Sequence, residues 1–259
     1  MERAFLLIVA FDGTDFCGWQ VQPDGRSVQR VLEGVLSRLG GSTRKATAAG
    51  RTDAGVHARA MPVSTVMPPS WTCAALLRAM NALLPLDVAV REVHRIRDDA
   101  NARRDALGRR YCYHVGTDAA ARSPFQARTS WPLGRLLDLD AMERAATVLP
   151  GVHDCRAFAV TGEPKPHYRC RIVEAAWDSP RAGCTRFTIA ADRFLHHMVR
   201  LLLGTMVDIG LGRRPEGDMA RLLLLTHNAD TSPPAPAAGL FFDQAWYPED
   251  IYLGEVAAW

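Results

Sequence analysis

Residues Ala4 to Phe11 alternate without leaving a polar side: Phe5, Leu7, Val9 and Phe11 point one way and Leu6, Ile8 and Ala10 the other. A strand that is apolar on both faces has to lie inside a sheet covered on both sides, and Asp12-Gly13 stops it in a turn. A chain that opens this way is committed to packed layers. The run is also far too short to cross a bilayer, and it lacks a basic flank and a cleavage site. The expectation is a cytoplasmic protein with neither signal peptide nor membrane anchor.

Helix and strand signals alternate along the rest of the chain. Ser27 reads as an N-cap, Val28, Leu32, Val35, Leu36 and Leu39 follow at helical spacing, and Gly40-Gly41 ends that helix. Strand-like stretches at Arg44 to Ala49 and Met61 to Val66 flank a loop of small residues. Pro68-Pro69 precedes a helix over Thr72 to Leu84, and Val88 to Ile96 reads as a strand. The second half repeats the pattern. Arg110 to Gly116 is strand-like, and Asp140 to Leu149 is helical. Ile172 to Trp177 and Thr185 to Ala191 form a hairpin across Ser179-Pro180. A long helix spans Leu195 to Ile209 and a shorter one Glu216 to Leu225. The Pro/Ala-rich loop Thr231 to Gly239 leads into a last strand, Leu240 to Trp246. The fold class expected is α+β. Two mixed α/β halves, 1–105 and 106–259, are joined through one continuous sheet.

With 48% apolar and 23% charged residues, wholesale disorder is excluded. All but two of the 31 basic residues are arginine, the exceptions being Lys45 and Lys165. Arginine suits phosphate and carboxylate partners, although codon bias produces the same excess. The net charge of +3 permits a nucleic-acid partner without requiring one. Cys17, Cys73, Cys112, Cys155, Cys170 and Cys184 show no C-x-x-C spacing and read as small buried hydrophobes, with no disulfide and no structural metal expected.

The segment richest in chemistry is Gly50-Arg51-Thr52-Asp53-Ala54-Gly55-Val56-His57. Its glycines allow a sharp turn and close approach of another chain, and no bulky neighbour shields Asp53. From the spacing alone a plain Asp-Ala-Gly turn, with Asp bonding its own backbone, is the favoured reading. His57, four residues past Asp53, is a candidate acid or base, with a solvent-facing turn residue as the favoured reading.

Arg200 lies on the apolar helix, on a stripe with His196, Leu203 and Val207. A buried guanidinium left unpaired costs several kcal/mol, so it needs a carboxylate: Asp192, Asp208 or the distant Asp53. His196 and His197, adjacent on a helix, point about 100° apart and are poorly placed for one ion. Arg103, Arg104, Arg109 and Arg110, followed by Tyr111 and Tyr113 on one side of a strand, either grip phosphates and an unstacked base or form an exposed loop ahead of core tyrosines. The chain has no P-loop, G-x-G-x-x-G, H-E-x-x-H or G-x-S-x-G pattern. A carboxylate hydrolase lacks a second carboxylate.

The Gly50–His57 segment resembles the signature of the TruA family of tRNA pseudouridine synthases. Further segments resemble that family in the right order. They are Phe11-Asp12-Gly13-Thr14, Gly18-Trp19-Gln20, Ser27-Val28-Gln29 with Leu32-Glu33, and Asn101-Ala102-Arg103 in the first half. In the second half they are Arg110-Tyr111-Cys112-Tyr113, Gly151-Val152-His153-Asp154, Phe194 to Arg200 with Gly204, and Pro234 to Leu240.

The resemblance implies a mainly antiparallel sheet with helices on one face, a basic cleft, a homodimer, no cofactor, and isomerisation of uridine to pseudouridine in the anticodon stem-loop of tRNA, at tRNA positions 38 to 40. It implies that Asp53 is the catalytic carboxylate, that Arg200 pairs with it, and that Tyr111 stacks on the flipped uracil. It further implies that Leu240 packs in the pocket and Arg51 places the nucleotide; the basic stretch that holds Arg103, Arg109 and Arg110 is the expected grip on RNA phosphates. The same chemistry on another RNA or a free nucleotide, or a non-catalytic RNA-binding module, are the alternatives. Two departures stand out: Ala60-Met61-Pro62 implies an edge or bent strand, and Arg104 replaces a usual aromatic.

Overall fold

The computed structural model describes residues 2–160 and 167–259. The chain forms two compact units, one of Met1–Leu107 with Phe241–Trp259 and one of Gly108–Leu240. The first unit opens with β1 (Arg3–Phe11), α1 (Val28–Gly40), β2 (Thr47–Ala48), β3 (His57–Met67), α2 (Cys73–Leu83) and β4 (Val88–Ile96). Ser27 caps α1 by accepting from the Arg30 amide (3.3 Å), and Gly41 ends it at φ 70°, so both ends lie where the sequence puts them. The strand expected from Arg44 shrinks to β2. Arg44 is instead buried, pairing with Glu2 and donating to the Gly40 carbonyl (3.2 Å) at the C-terminal end of α1, where a cation opposes the helix dipole.

β3 is not an edge. It runs antiparallel to β1 on one side, Ile8 opposite Pro62, and carries β2 on the other. A strand residue points its N–H and C=O to the same side. Pro62 accepts from the Ala49 amide (2.9 Å), so its nitrogen faces the β2 flank and the β1 ladder loses nothing. The strand does bend, for the β1 register slips between Val9 and Phe11.

The second unit contains β5 (Gly108–Gly116), a single 3₁₀ turn (Ala119–Arg122), α3 (Pro124–Ala127), β6 (Trp131–Pro132), α4 (Leu139–Ala146) and β7 (Gly151–Asp154). It continues with β8 (Arg169–Arg181), β9 (Cys184–Ala191), α5 (Met198–Gly210) and α6 (Asp218–Leu223). Its antiparallel order is β5-β9-β8-β7, with β6 parallel to β5. The β8–β9 hairpin turns not at Ser179-Pro180 but at Ala182-Gly183, with Gly183 at φ 71° and Arg181 opposite Cys184. Ser179-Pro180 falls in a register shift, where a missing donor costs the ladder least. α4 packs against β8 and α5. The Thr231–Gly239 loop lies tight on α5: a Cβ at Gly204 would sit 2.0 Å from the Pro233 carbonyl oxygen.

From Phe241 the chain returns to the first unit, with β10 (Leu240–Trp246) parallel to β3 and β11 (Tyr252–Ala258) antiparallel to β4. The order in that unit is β11-β4-β1-β3-β10. Both faces of β1 are covered, as its sequence requires. Ala4 and Leu6 pack with Ile96, Ala102, Tyr247 and Ile251, and the Tyr247 hydroxyl donates to the Ala102 carbonyl (2.6 Å). In each unit the pairing is mainly antiparallel, as expected. Five of the six cysteines are buried, but Cys17 is exposed.

Candidate functional site

In the first unit, Asp53 sits half-buried at the head of a turn in which the Val56 amide donates to the Asp53 carbonyl (3.2 Å) and Gly55 takes φ 78°. A second loop cradles this turn through its backbone. The Trp19 amide donates to Thr52 O (3.0 Å) and the Gly55 amide to Phe16 O (3.3 Å). A Cβ on Gly13 would lie 2.0 Å from Val56 O, and one on Gly18, itself at φ 96°, 2.8 Å from Thr52 O. The two glycines are therefore required by close approach, not by flexibility. Arg51 is exposed on the same turn.

His57 is not solvent-facing. Only 1% exposed, it begins β3, and its Nδ1 accepts from the Gly13 amide (3.0 Å) and lies 3.2 Å from Asp12 Oδ1. Its ring lies flat against Phe241, with centroids 4.7 Å apart and planes 19° apart. It thus clamps the far end of the Asp53 turn to the cradle. The signal for it was available: a histidine closing a glycine turn has its partner in another glycine turn, Asp12-Gly13.

Arg103 is exposed on a turn whose Asn101 Oδ1 accepts from the Arg103 (2.9 Å) and Arg104 (3.0 Å) amides, while Ala102 is buried beneath. Arg104 pairs with Asp105 (2.7 Å) and donates to Asp99 O (2.6 Å); the Asp105 carboxyl is held below its usual range, first by that hydrogen bond.

In the second unit, Tyr111 on β5 is 9% exposed, and Phe194 meets its ring edge-on, with centroids 5.0 Å apart and planes 86° apart. Arg109 donates to Asp192 O (2.8 Å) and Arg110 pairs with Glu174 (3.2 Å). Tyr113 is fully buried and donates to Pro236 O (2.8 Å); burial pushes its phenol up, against the opposing charge of Arg200. A Cβ on Gly239, just before the buried Leu240, would lie 2.6 Å from the Tyr113 ring.

Arg200 is half-buried and its Nε donates to Ala235 O (2.7 Å). Of its expected carboxylates, Asp192 accepts from the Arg171 amide (2.8 Å) and Asp208 pairs with Arg213 (3.0 Å). His196 does not share its helical stripe, because α5 begins only at Met198. His197, at φ 60°, is the one non-glycine residue with positive φ among those described, and its ring centroid lies 4.1 Å from that of His196. The expectation that these histidines diverge on a helix therefore fails, because the residue before the helix is left-handed.

A family model described as tRNA pseudouridine synthase matches residues 7–103 and 145–248. Asp53, Arg51, Arg103, Arg200 and Leu240 lie within the matched blocks, and Arg109, Arg110 and Tyr111 lie between them. The tRNA pseudouridine synthase A of Myxococcus xanthus is 38% identical over 241 residues, covering 93% of this chain and 91% of its own. That of Syntrophotalea carbinolica is 36% identical over 255 residues, covering 96% and 98%. That of a Geobacter species is 37% identical over 249 residues, covering 95% and 100%.

Proposed function

Because this chain belongs to the tRNA pseudouridine synthase family, with its mixed α/β fold, we propose that it isomerises uridine to pseudouridine in the anticodon stem-loop of tRNA. The observation that carries the reading is a carboxylate, Asp53, on a turn fixed by backbone contacts at both ends. A reacting group held in one place has little freedom left to lose at the transition state.

The reaction breaks the N1–C1′ bond, turns the uracil and rejoins it through C5. The C5 proton leaves and N1 gains one, so atoms and charge balance without a cofactor. A base inside a stem has to be extruded first, at a cost of a few kcal/mol recovered by stacking and phosphate contacts. In this reading Asp53 acts on the nucleotide, and Arg200 supplies the countercharge that keeps it ionised. Tyr111 stacks on the uracil, Leu240 closes the apolar side, and Arg51, Arg103, Arg109 and Arg110 meet the RNA. The engagement of Asp192 and Asp208 by other groups supports Arg200 in that role. A cytoplasmic homodimer is part of the same proposal. No helix among the described residues is long and apolar enough to cross a membrane.

The test is to incubate the purified protein with unmodified tRNA transcripts and map pseudouridine by carbodiimide-blocked reverse transcription. Stops in the anticodon arm are expected. Their absence from every tRNA, with the protein folded, overturns the reading.

A further inference from the structure

The family model leaves residues 104–144 unmatched, and the second unit builds a small lobe there. The 3₁₀ turn, α3 and β6 fold over one another at the end of β5: the Gly134 amide donates to Gly116 O (3.0 Å) and the Thr117 amide to Gly183 O (2.9 Å). At the tip of this lobe Phe125 is 94% exposed, and Leu136 is 88% exposed. A phenylalanine bare to that degree contributes nothing to the core, and a mixed basic setting argues for a partner with an apolar face and negative charge.

The charges around it fit. Residues 118–136 contain Arg122, Arg128 and Arg135 against the single acid Asp118. Asp118 is spent on the fold, capping the 3₁₀ turn by accepting from the Ala121 amide (3.1 Å). Arg122, Arg128 and Arg135 are exposed. Arg122 and Arg135 have no hydrogen bond or ion pair with any described residue. Arg181, from the neighbouring hairpin, donates to Gln126 Oε1 (3.4 Å) and so stands beside Phe125. By contrast, Arg104 and Arg110 are already paired with Asp105 and Glu174.

We propose that this lobe is a second RNA-contact surface, with Phe125 stacking on an exposed base and Arg122, Arg135 and Arg181 meeting phosphates. It rests on the tRNA reading above and deepens it: the lobe grips tRNA away from the nucleotide that reacts. Base–aromatic stacking is tolerant of sequence, and unpaired arginines release counterions when they meet phosphate. Both features suit a surface that adds affinity without selecting the modified uridine.

The experiment uses the full chain and a fluorescently labelled unmodified tRNA transcript, with affinity read by anisotropy across a salt series. Phe125→Ala is expected to weaken binding about tenfold. The double variant Arg122→Gln/Arg135→Gln should flatten the log–log salt dependence by about two units. Turnover at saturating tRNA should stay at the wild-type value in both variants, since none of the three residues touches the reacting atoms. Affinity within about twofold of wild type and an unchanged slope overturn the proposal. So does a Phe125→Ala protein that binds tRNA normally but changes its oligomeric state, which would make the lobe a contact between copies. Failure of the tRNA reading looks different: the wild type would bind tRNA yet form no pseudouridine, while the binding series still reads the lobe.

Discussion

The turn that carries Asp53 and the helix that carries Arg200 fix their side chains by opposite means. Asp53 is placed by backbone. Two glycines let one loop press on another, amides of residues 19 and 55 close the cradle, and His57 pins the end. Arg200 is placed by side-chain packing. α5 buries Val199, Leu201, Leu202, Leu203 and Met206 around it, and the guanidinium Nε donates to Ala235 O. A backbone cradle has no slack to give, whereas a packed helix can repack. The two sites should therefore fail differently.

The largest expected effect of breaking the cradle is Gly13→Ala. Its methyl would lie 2.0 Å from the Val56 carbonyl, a backbone atom that moves only if the Asp53 turn moves. Activity should fall by about a hundredfold or more, because a misplacement of about 1 Å costs that much, while tRNA affinity stays near wild type. A Gly13→Ala enzyme of normal kcat would show that the cradle does not position Asp53.

On the helix side, Arg200→Met should lower kcat strongly with little change in melting temperature, since methionine fills the same channel between apolar neighbours. Lysine should rescue only part of the loss, because a point charge replaces a planar fork. Equal activity for arginine, lysine and methionine would remove Arg200 from the chemistry.

A smaller effect belongs to stability away from both sites. Asp218 is buried between Arg221 and Arg214, at 2.6 Å from each, and its carboxyl is held below the usual carboxylate range, first by Arg221 and then by Arg214. A depressed folded pKa means the stabilisation is whole above the unfolded value and is lost as pH falls through the folded one. Asp218→Asn should cost about 1–3 kcal/mol near neutral pH. The gap to wild type should close below about pH 4. Melting curves across pH check this, and a gap independent of pH would contradict it.

Much of this was legible in the sequence where local chemistry decides the outcome. β1 announces its burial on both faces, Ser27 and Gly41 bracket α1, and Val88–Ile96 is a strand to the residue. What was not legible depends on remote partners. Arg44 leaves its strand because Glu2 and Gly40 claim it, and His57 is buried because Gly13 and Phe241 meet it. β11 escaped notice because Gly254, at φ 83°, interrupts its alternation, and only Tyr252 and Val256–Ala258 pair with β4. α5 begins later than its apolar spacing predicts because His197 is left-handed, and a left-handed histidine has no signature in composition. Within the site, residue types and the glycine pattern were readable; the clamp that makes them rigid was not.

The smallest expected effect probes the cradle from outside. Cys17 is the exposed cysteine and precedes Gly18, whose close approach to Thr52 O shapes the Asp53 turn. Burial and the nearby Glu255 push the Cys73 thiol up to about 12, and Cys155 is pushed up by its hydrogen bond with Cys170 and by burial. Since the thiolate is the reactive form, iodoacetamide at pH 8 should modify Cys17 first and leave Cys73 and Cys155 intact until the protein is denatured. Activity should fall modestly as Cys17 reacts. Peptide mass mapping that finds Cys73 labelled as fast as Cys17 would contradict the packing described.

The central claim is that a single carboxylate, held in place by backbone, carries the reaction. Asp53→Asn tests it most directly, since the amide keeps the size and the turn but removes the charge. The measurement is single-turnover pseudouridine formation on an unmodified tRNA transcript, alongside the affinity of the same variant for that tRNA. The account predicts no detectable pseudouridine and an affinity close to wild type. Product formed by the purified variant at a rate near wild type would contradict it.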